Sequence, residues 1–357
     1  NKRGSIVAIE PSTGEILCLV SSPNYNPNEL VGRKRNKNYL RLNNDTLEKP
    51  LFNRASLAQY PPGSTFKLIN ALIGLQEKTL SPQTLFSCNN GFVYGDEKRT
   101  MKCHPHRSPL NLTESIATSC NAYYCNVYKD IIEKYPNTYD GYNNWRNHVM
   151  SFGLGNWLNN DLPTGQKGHV PSESYYDNIY GKKRWKALTN LSLSIGQDAL
   201  LSTPIQMANM TAAIANRGYY YTPHIVKEIE NDSIDLRFKT KRLTTIDQKH
   251  FETIILGMKD VVEDTELGTS NNAKIDGIVI CGKTGTAQNP HGEDHSIFIA
   301  FAPMENPKIA LAVYVENGGW GSTWAVPIAS LMIEQYLTGT ISRSLLEEKI
   351  KVGIIEY

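Results

Sequence analysis

The segment from Phe66 to Leu75 is apolar on nearly every side, and this property constrains the fold more than any other feature of the chain. A helix without a polar face is buried in the middle of a domain. The run Tyr60-Pro61-Pro62-Gly63 predicts a turn immediately before it. We therefore expect Ser64 and Lys67 to lie in the first turn of a buried helix.

Ser64 is the only serine followed three positions later by a lysine, and Lys283 begins the only Lys-Thr-Gly. Residues three apart lie on one face of a helix, so the Lys67 amine can point at the Ser64 hydroxyl. Burial and a second cation, for which Lys283 is the obvious candidate, each lower the pKa of a lysine. The pair predicts covalent acyl transfer with a lysine as the base. The alternative, a solvated lysine on a surface helix, disagrees with the apolar surroundings.

The run from Ile275 to Cys281 is rich in β-branched residues and predicts a strand that ends at Lys283. Gly285 has no side chain, so a substrate backbone can lie alongside this strand. The hydroxyls of Thr284 and Thr286, next to the Lys283 cation, suit a carboxylate. We predict a substrate-binding strand here; a simple turn is the alternative for the tripeptide alone.

Ser-x-Asn occurs at Ser22, Ser87, Ser119 and Ser270, and only the third of these precedes a helical pattern of apolar residues. We predict that Ser119 shuttles a proton between Lys67 and the leaving group. Asn121 is predicted to hold a substrate carbonyl. A helix N-cap at Ser119 without any chemistry is the alternative.

Ser-x-x-Lys, Ser-x-Asn and Lys-Thr-Gly in this order resemble the signature of penicillin-binding proteins and serine β-lactamases. The chain most resembles the elongation-type class B penicillin-binding proteins, and the likeness covers nearly its whole length. The further matching segments are 4–17, 53–55, 60–67, 152–155, 195–197, 203–206 and 296–303.

The resemblance implies an α/β penicillin-binding transpeptidase fold, like that of serine β-lactamases, with an antiparallel sheet covered by helices and a mostly helical lobe. We expect one domain over 1–345 and a tail over 346–357. The expected parts are a sheet from about 4–22 and 275–316, a helical lobe at about 61–215 and a covering helix at 323–337. The segment 139–185 is expected to be an exposed loop. Family members carry an N-terminal membrane anchor and a pedestal domain, which are expected to be absent from this chain.

The implied activity is peptidoglycan D,D-transpeptidation at the periplasmic face of the bacterial inner membrane. Ser64 would attack the D-Ala-D-Ala amide of a stem peptide, and Lys67 would take its proton. The Ser64 and Thr286 N–H groups would form the oxyanion hole. β-Lactams would acylate Ser64. The implied partner is a membrane glycosyltransferase; no organic cofactor is implied, and a net charge of +2 carries no indication of nucleic acid binding.

The segment Cys103-His104-Pro105-His106 places two imidazoles beside a thiol, and three cysteines with one histidine make a closed tetrahedral zinc set. Some members of the family carry zinc between the first two motifs, with a cysteine in the middle of Ser-x-Asn. The resemblance therefore implies one structural zinc, and its ligands would be Cys88, Cys103, His106 and Cys120. A Cys88–Cys103 disulfide, free thiols, and His104 in place of His106 remain open.

Other functions share these motifs. A class A-like serine β-lactamase needs a carboxylate that activates the deacylating water, and no Glu-x-x-Asn occurs between Asn121 and Gln197. A D,D-carboxypeptidase would use the same residues with water as the acceptor. A β-lactam sensor and an inactive cell-wall scaffold are the non-enzymatic alternatives, and the full set of chemical residues disfavours the scaffold.

Overall fold

The computed structural model describes residues 2–290 and 292–355. The strands are β1 Gly4–Ile9, β2 Ile16–Ser22, β3 Gly91–Tyr94, β4 Arg99–Lys102, β5 Tyr219–Tyr220, β6 Arg242–Leu243, β7 Cys281–Ala287, β8 His295–Ala302 and β9 Ile309–Val315. The α-helices are α1 Arg35–Asn43, α2 Arg54–Leu57, α3 Lys67–Gln76, α4 Leu112–Ala117, α5 Asn121–Glu133, α6 Thr138–Ser151, α7 Glu173–Tyr180, α8 Pro204–Ala215, α9 Leu236–Lys239, α10 Phe251–Glu263, α11 Ala325–Thr338 and α12 Ser344–Val352. Short 3-10 helices span Pro27–Leu30, Gly63–Phe66, Leu191–Ile195, Gln248–His250 and Asn271–Ala273.

Five of the described strands form one antiparallel sheet in the order β2-β1-β9-β8-β7. The hairpin at the beginning of the chain thus joins the three strands near its end. Every residue of β9 is buried, because α8 and α11 both pack against β8 and β9. A sheet covered on both faces has such continuously apolar central strands.

Helix α3 lies in the centre of the second, mostly helical part of the molecule, where it packs against α4, α5 and α6. Its residues from Lys67 to Leu75 are all buried, as its apolar sequence predicts. The α-helix begins at Lys67, and Ser64 lies in the 3-10 turn Gly63–Phe66 that precedes it. Ser64 therefore lies in a tighter turn than the α-helical turn expected from the sequence.

The strand that carries Lys-Thr-Gly begins later than predicted. The chain turns at Asp276-Gly277, where the Ile278 N–H donates to the Ile275 carbonyl at 3.2 Å and Gly277 has a φ of +77°. The prediction of a strand over 275–281 is therefore wrong, since β7 starts only at Cys281. Lys283 lies inside β7 and is not at its end.

The segment 139–185 is not an exposed loop, because it contains most of α6 and all of α7. Tyr142, Trp145 and Trp185 are buried there. The Trp145 indole donates to the Asn70 amide oxygen at 2.8 Å and so attaches α6 to α3. The C-terminal segment contains helix α12. Among the described residues, no helix has the length and apolar character needed to cross a membrane.

Candidate active site

The turn that carries Ser64 depends on two glycines in left-handed conformations. Gly63 has a φ of +58° and Gly196 a φ of +70°, and the Gly63 N–H donates to the Gly196 carbonyl at 2.9 Å. A Cβ atom on Gly196 would lie 2.3 Å from the Gly63 oxygen. The Thr65 hydroxyl closes the turn by donating to the Pro62 carbonyl at 2.7 Å. The backbone around Ser64 is thus held from two sides.

The Lys67 amine connects the first motif to the second. It donates to the Ser119 carbonyl and to the Asn121 amide oxygen, both at 2.6 Å, and to the Ser119 hydroxyl at 3.3 Å. Lys67 is completely buried. A buried amine with these partners lies in a fixed position, which is a requirement for proton transfer.

Burial lowers the pKa of Lys67 to about 8, and the neighbouring cysteines, Cys103 first, oppose this shift. Burial and then the charge on Lys67 lower the pKa of Lys283 well below its usual range. Burial is therefore the main cause of the low pKa of both amines, and Lys283, which the sequence suggested as a second cation beside Lys67, is itself an amine whose positive charge is disfavoured. Lys67 can consequently exchange a proton near neutral pH.

Ser119 and Asn121 are positioned by the start of α5. Cys120 is the N-cap of this helix, because its sulfur accepts from the Tyr123 N–H at 3.3 Å. The alternative of Ser119 as a capping residue is therefore wrong, and Ser119 has a φ of +57° instead. The Asn121 side chain donates to the Lys102 carbonyl at 2.7 Å. The Ser119 hydroxyl and the Asn121 side chain thus both lie next to the Lys67 amine.

Strand β7 is the edge strand next to Ser64. The Gln197 amide donates to the Thr286 carbonyl at 3.1 Å, and that oxygen would lie 2.7 Å from a Cβ atom on Gly63. The N–H and C=O of one strand residue point to the same edge. The Thr286 N–H therefore points toward the turn that carries Ser64, which is the orientation an oxyanion hole requires.

The three motifs line one cleft of about 520 Å³. Of the residues predicted from the sequence, Ser64, Cys103, Ser119, Asn121, Thr284, Gly285 and Thr286 line it. Lys283 is buried within β7 and donates to the Thr284 carbonyl at 3.2 Å. Nothing in the sequence indicated a role for further lining residues, among them Gln197, Thr269, Gln288, Asp294 and Trp320. Thr269 is engaged with the site, since its hydroxyl lies 2.9 Å from that of Thr284.

A buried ion pair between Arg54 and Glu316 stabilises the turn that carries Ser64. The Arg54 guanidinium contacts the Glu316 carboxylate at 3.0 Å, and the Tyr60 hydroxyl donates to the same oxygen at 2.6 Å. The Tyr60 ring stacks on Tyr314 with a centroid distance of 4.2 Å, and Tyr314 donates to the Pro61 carbonyl. The end of β9 is thereby attached to the turn that carries the nucleophile.

Cys88, Cys103, His106 and Cys120 lie together beside the cleft, with their ligand atoms within 4.8 Å of one another. Neither Cys88 nor Cys103 is in a disulfide. His104 contacts the Thr118 carbonyl instead, through Nε2 at 2.6 Å. His106 Nδ1 lies 2.7 Å from the Arg107 carbonyl, which leaves Nε2 toward the sulfurs. This geometry favours His106 as the fourth ligand.

The cysteine cluster is linked directly to the second motif. The Cys103 sulfur accepts from the Asn121 N–H at 3.2 Å. A hydrogen bond from the Cys120 thiol lowers the pKa of Cys103 to about 4, and the same bond raises the pKa of Cys120. The cluster therefore stabilises a thiolate, the form of cysteine that binds metals.

Residues 4–334 match the family model of the penicillin binding protein transpeptidase domain. The peptidoglycan D,D-transpeptidase MrdA of Acinetobacter baumannii is 32% identical in an alignment that is 356 residues long and covers 94% of this chain. That alignment covers 51% of the relative, so the chain spans about half the length of this relative.

Solved structures agree with the sequence comparison. Penicillin-binding protein 2 of Pseudomonas aeruginosa, in complex with WCK 5153, aligns with a TM-score of 0.84 at 30% identity and covers 96% of this chain and 73% of that one. The imipenem acyl-enzyme of penicillin-binding protein A from M. tuberculosis aligns with a TM-score of 0.74 at 28% identity, covering 94% of this chain and 74% of that one. The expected fold is confirmed, and the chain belongs to the penicillin-binding protein transpeptidase family.

Proposed function

We propose that this chain is the catalytic part of a peptidoglycan D,D-transpeptidase, with Ser64 as the acylated nucleophile. One observation carries the proposal: the buried Lys67 amine bonds to both residues of the second motif, in the cleft that also contains Ser64 and Thr286. The family and its relatives support the same activity.

Acylation follows from this arrangement. Neutral Lys67 takes the Ser64 proton while the serine oxygen bonds to the carbonyl carbon of the penultimate D-alanine. The N–H groups of Ser64 and Thr286 stabilise the oxyanion, where one donor is typically worth about 3 kcal/mol. Lys67 returns the proton through Ser119 to the nitrogen of the leaving D-alanine as the amide bond breaks. The products are an ester on Ser64 and free D-alanine, and every proton is accounted for.

The terminal carboxylate of the substrate would lie at Lys283, Thr284 and Thr286. Its negative charge favours the protonated form of Lys283, which offsets the effect of burial on the pKa of that amine. A Cβ atom on Gly285 would lie 3.0 Å from the Thr65 side chain and 3.3 Å from the Pro62 carbonyl oxygen. This glycine therefore makes room for the turn that carries Ser64, and the expectation that it makes room for a substrate backbone is wrong. The Asn121 amide faces the cleft. Deacylation by an amine of a second stem peptide reverses the proton transfers and restores Ser64.

The partner and the location follow from the proposed substrate. Cross-linking requires glycan strands that carry stem peptides, so we propose that a membrane glycosyltransferase supplies them. Peptidoglycan lies outside the inner membrane, and we propose that the whole protein acts there on an N-terminal membrane anchor.

The test of this function is intact-mass spectrometry of the protein with a penicillin, followed over hours, with peptide mapping of any adduct. We expect one stable adduct on Ser64, because the cleft brings together groups for acylation. Consumption of the drug without a lasting adduct would indicate a β-lactamase instead. With a stem-peptide donor and an amine acceptor, cross-linked product supports the transpeptidase, and hydrolysed product alone supports a D,D-carboxypeptidase.

We also propose that one structural zinc binds the cysteine cluster. Zinc lies about 2.3 Å from thiolate sulfur, so tetrahedral ligands are about 3.8 Å apart. The four ligand atoms lie within 4.8 Å of one another, which fits that spacing. Zinc would hold Cys103 and Cys120 in place and thereby support Asn121 and Ser119.

Metal analysis of protein purified without chelator is expected to find about one zinc per chain. His106→Ala is expected to lose most of it, because a closed site needs all four ligands. His104→Ala is the matched control and is expected to keep the metal, since His104 bonds to Thr118. Equal zinc contents of the two variants would contradict the assignment of His106, and a Cys88–Cys103 bridge in metal-free protein would exclude the site.

A further inference from the structure

A second cavity, of about 540 Å³, lies outside the catalytic cleft. It is lined by the end of α2 and by the segment between α6 and α7, and none of its lining residues carries a charge. Its volume is within the range of sites for small molecules, roughly 300 to 1,000 Å³. A charged ligand would have no partner in its walls, so the cavity suits an uncharged one.

The wall of this cavity contains an exposed aromatic ring among amide side chains. Trp157 is 56% exposed, which is unusual for the largest apolar side chain. Within the described part of the chain, the side chains of Trp157, Asn159 and Gln166 make no hydrogen bond. These groups are therefore free to bind a ligand that has both an apolar face and polar substituents.

A buried hydroxyl in the same wall also lacks a partner. Ser56 is 1% exposed, and its Oγ has no hydrogen-bond partner in the described residues. This oxygen has almost no exposed surface, so it pairs with a ligand in the cavity only if the wall moves. Ser56 is positioned by its own backbone, since the Gln166 N–H donates to its carbonyl at 3.0 Å.

We propose that this cavity, which we call the Trp157 cavity, binds the glycan strand of peptidoglycan while the stem peptide occupies the catalytic cleft. The axial C–H groups of a pyranose give it an apolar, slightly positive face that complements the electron-rich face of an indole. The N-acetyl groups of such a glycan are neutral amides, and they pair with Asn159 and Gln166. This inference rests on the proposed transpeptidase function, because it assigns a second part of the same substrate.

The cavity and the nucleophile are separated by a short stretch of chain. Leu57 lines the Trp157 cavity and lies seven positions before Ser64. Their Cα atoms are therefore at most about 25 Å apart, which is the order of length of an extended peptide of five to seven residues. The cross-linking of polymeric peptidoglycan therefore tests whether one substrate spans both sites.

The inference is tested by titrating the protein with chitotetraose, a β-1,4-linked tetramer of N-acetylglucosamine, and measuring binding by calorimetry and ligand-observed NMR. We expect saturable binding that Trp157→Ala weakens at least tenfold and that Trp157→Phe largely retains, because phenylalanine keeps an aromatic face. Trp320→Ala is the matched control, since Trp320 is 67% exposed but lines the catalytic cleft. Its affinity for the sugar is expected to be unchanged.

A functional measurement separates this inference from the proposed function. Trp157→Ala is expected to acylate with penicillin at the normal rate and to cross-link short stem peptides normally. Its cross-linking of polymeric peptidoglycan is expected to fall several-fold. Absence of chitotetraose binding, or equal affinity in Trp157→Ala, would overturn the glycan site while leaving acylation intact. Failure of Ser64 to acylate would instead contradict the proposed function, and sugar binding would then remain the only direct measure of the cavity.

Discussion

Ser64→Ala is expected to take up no penicillin at any time or concentration, while the wild-type protein gains one drug mass on the peptide that contains residue 64. The reason is that the hydroxyl is the only group lost, and in the proposed mechanism its oxygen forms the bond to the drug. Ser64 lies in a turn held by Gly63, Gly196 and Thr65, none of which depends on its side chain. We therefore expect the variant to fold normally. Intact-mass spectrometry and a thermal unfolding curve measure both expectations.

Ser119→Ala is the matched control, because it removes another hydroxyl from the same cleft. In the proposed mechanism Ser119 transfers a proton and forms no bond to the drug, so this variant is expected to acylate slowly and still carry its adduct on Ser64. A labelled Ser64→Ala protein, with the adduct on Ser119 or on another residue, would exclude Ser64 as the nucleophile.

The grouping of the candidate site residues was predictable from the sequence because the motifs are local. Ser64 and Lys67 are three positions apart, and Ser119 and Asn121 two apart, so one turn of backbone keeps the members of each pair close together. The spacing of Cys103 and His106 is similarly local. Long-range placement, such as Cys88 beside Cys120, rested on the family resemblance, and the structure brings these residues together.

The contacts that hold the site together were not predictable, because they join parts of the chain that are far apart in sequence. Gln197 reaches Thr286 only because Gly196 adopts a left-handed conformation beside Gly63. Arg54 and Glu316 meet behind the turn across 262 positions. Neither the periodicity of apolar residues nor the spacing of the motifs predicts such contacts, because each of these residues is an ordinary polar residue in its own part of the sequence.

The predicted strand at 275–281 shows how local propensity is overridden. Its β-branched residues favour a strand, yet Asp276-Gly277 permits a turn that the chain uses. The ladder with β8 then begins at Cys281 and continues through Lys-Thr-Gly to Ala287. The consequence is functional, because Lys283, Thr284 and Thr286 lie on one rigid strand, where their positions are better defined than in a loop.

Lys67→Ala is expected to lower the rate constant for acylation by about 10² to 10⁴, the usual contribution of a positioned general base. Lys67→Arg is the decisive control, because arginine keeps a positive charge but does not release its proton. If Lys67 acts as a base, the arginine variant will be as slow as the alanine variant. If Lys67 served only as a cation, the arginine variant would keep most of the activity, and the assignment of the base would be wrong.

The pH dependence of acylation reports the same amine. Burial lowers the pKa of Lys67 from 10.5 to about 8. Only the neutral form accepts the Ser64 proton, so the rate constant is expected to rise with pH and to level off above an inflection near 8. At pH 7 about a tenth of the protein then has the neutral amine, whereas an ordinary lysine would be neutral in only about three molecules in ten thousand. Stopped-flow acylation between pH 6 and 10 measures this profile. A rate that is independent of pH across this range would show that deprotonation of Lys67 does not limit acylation.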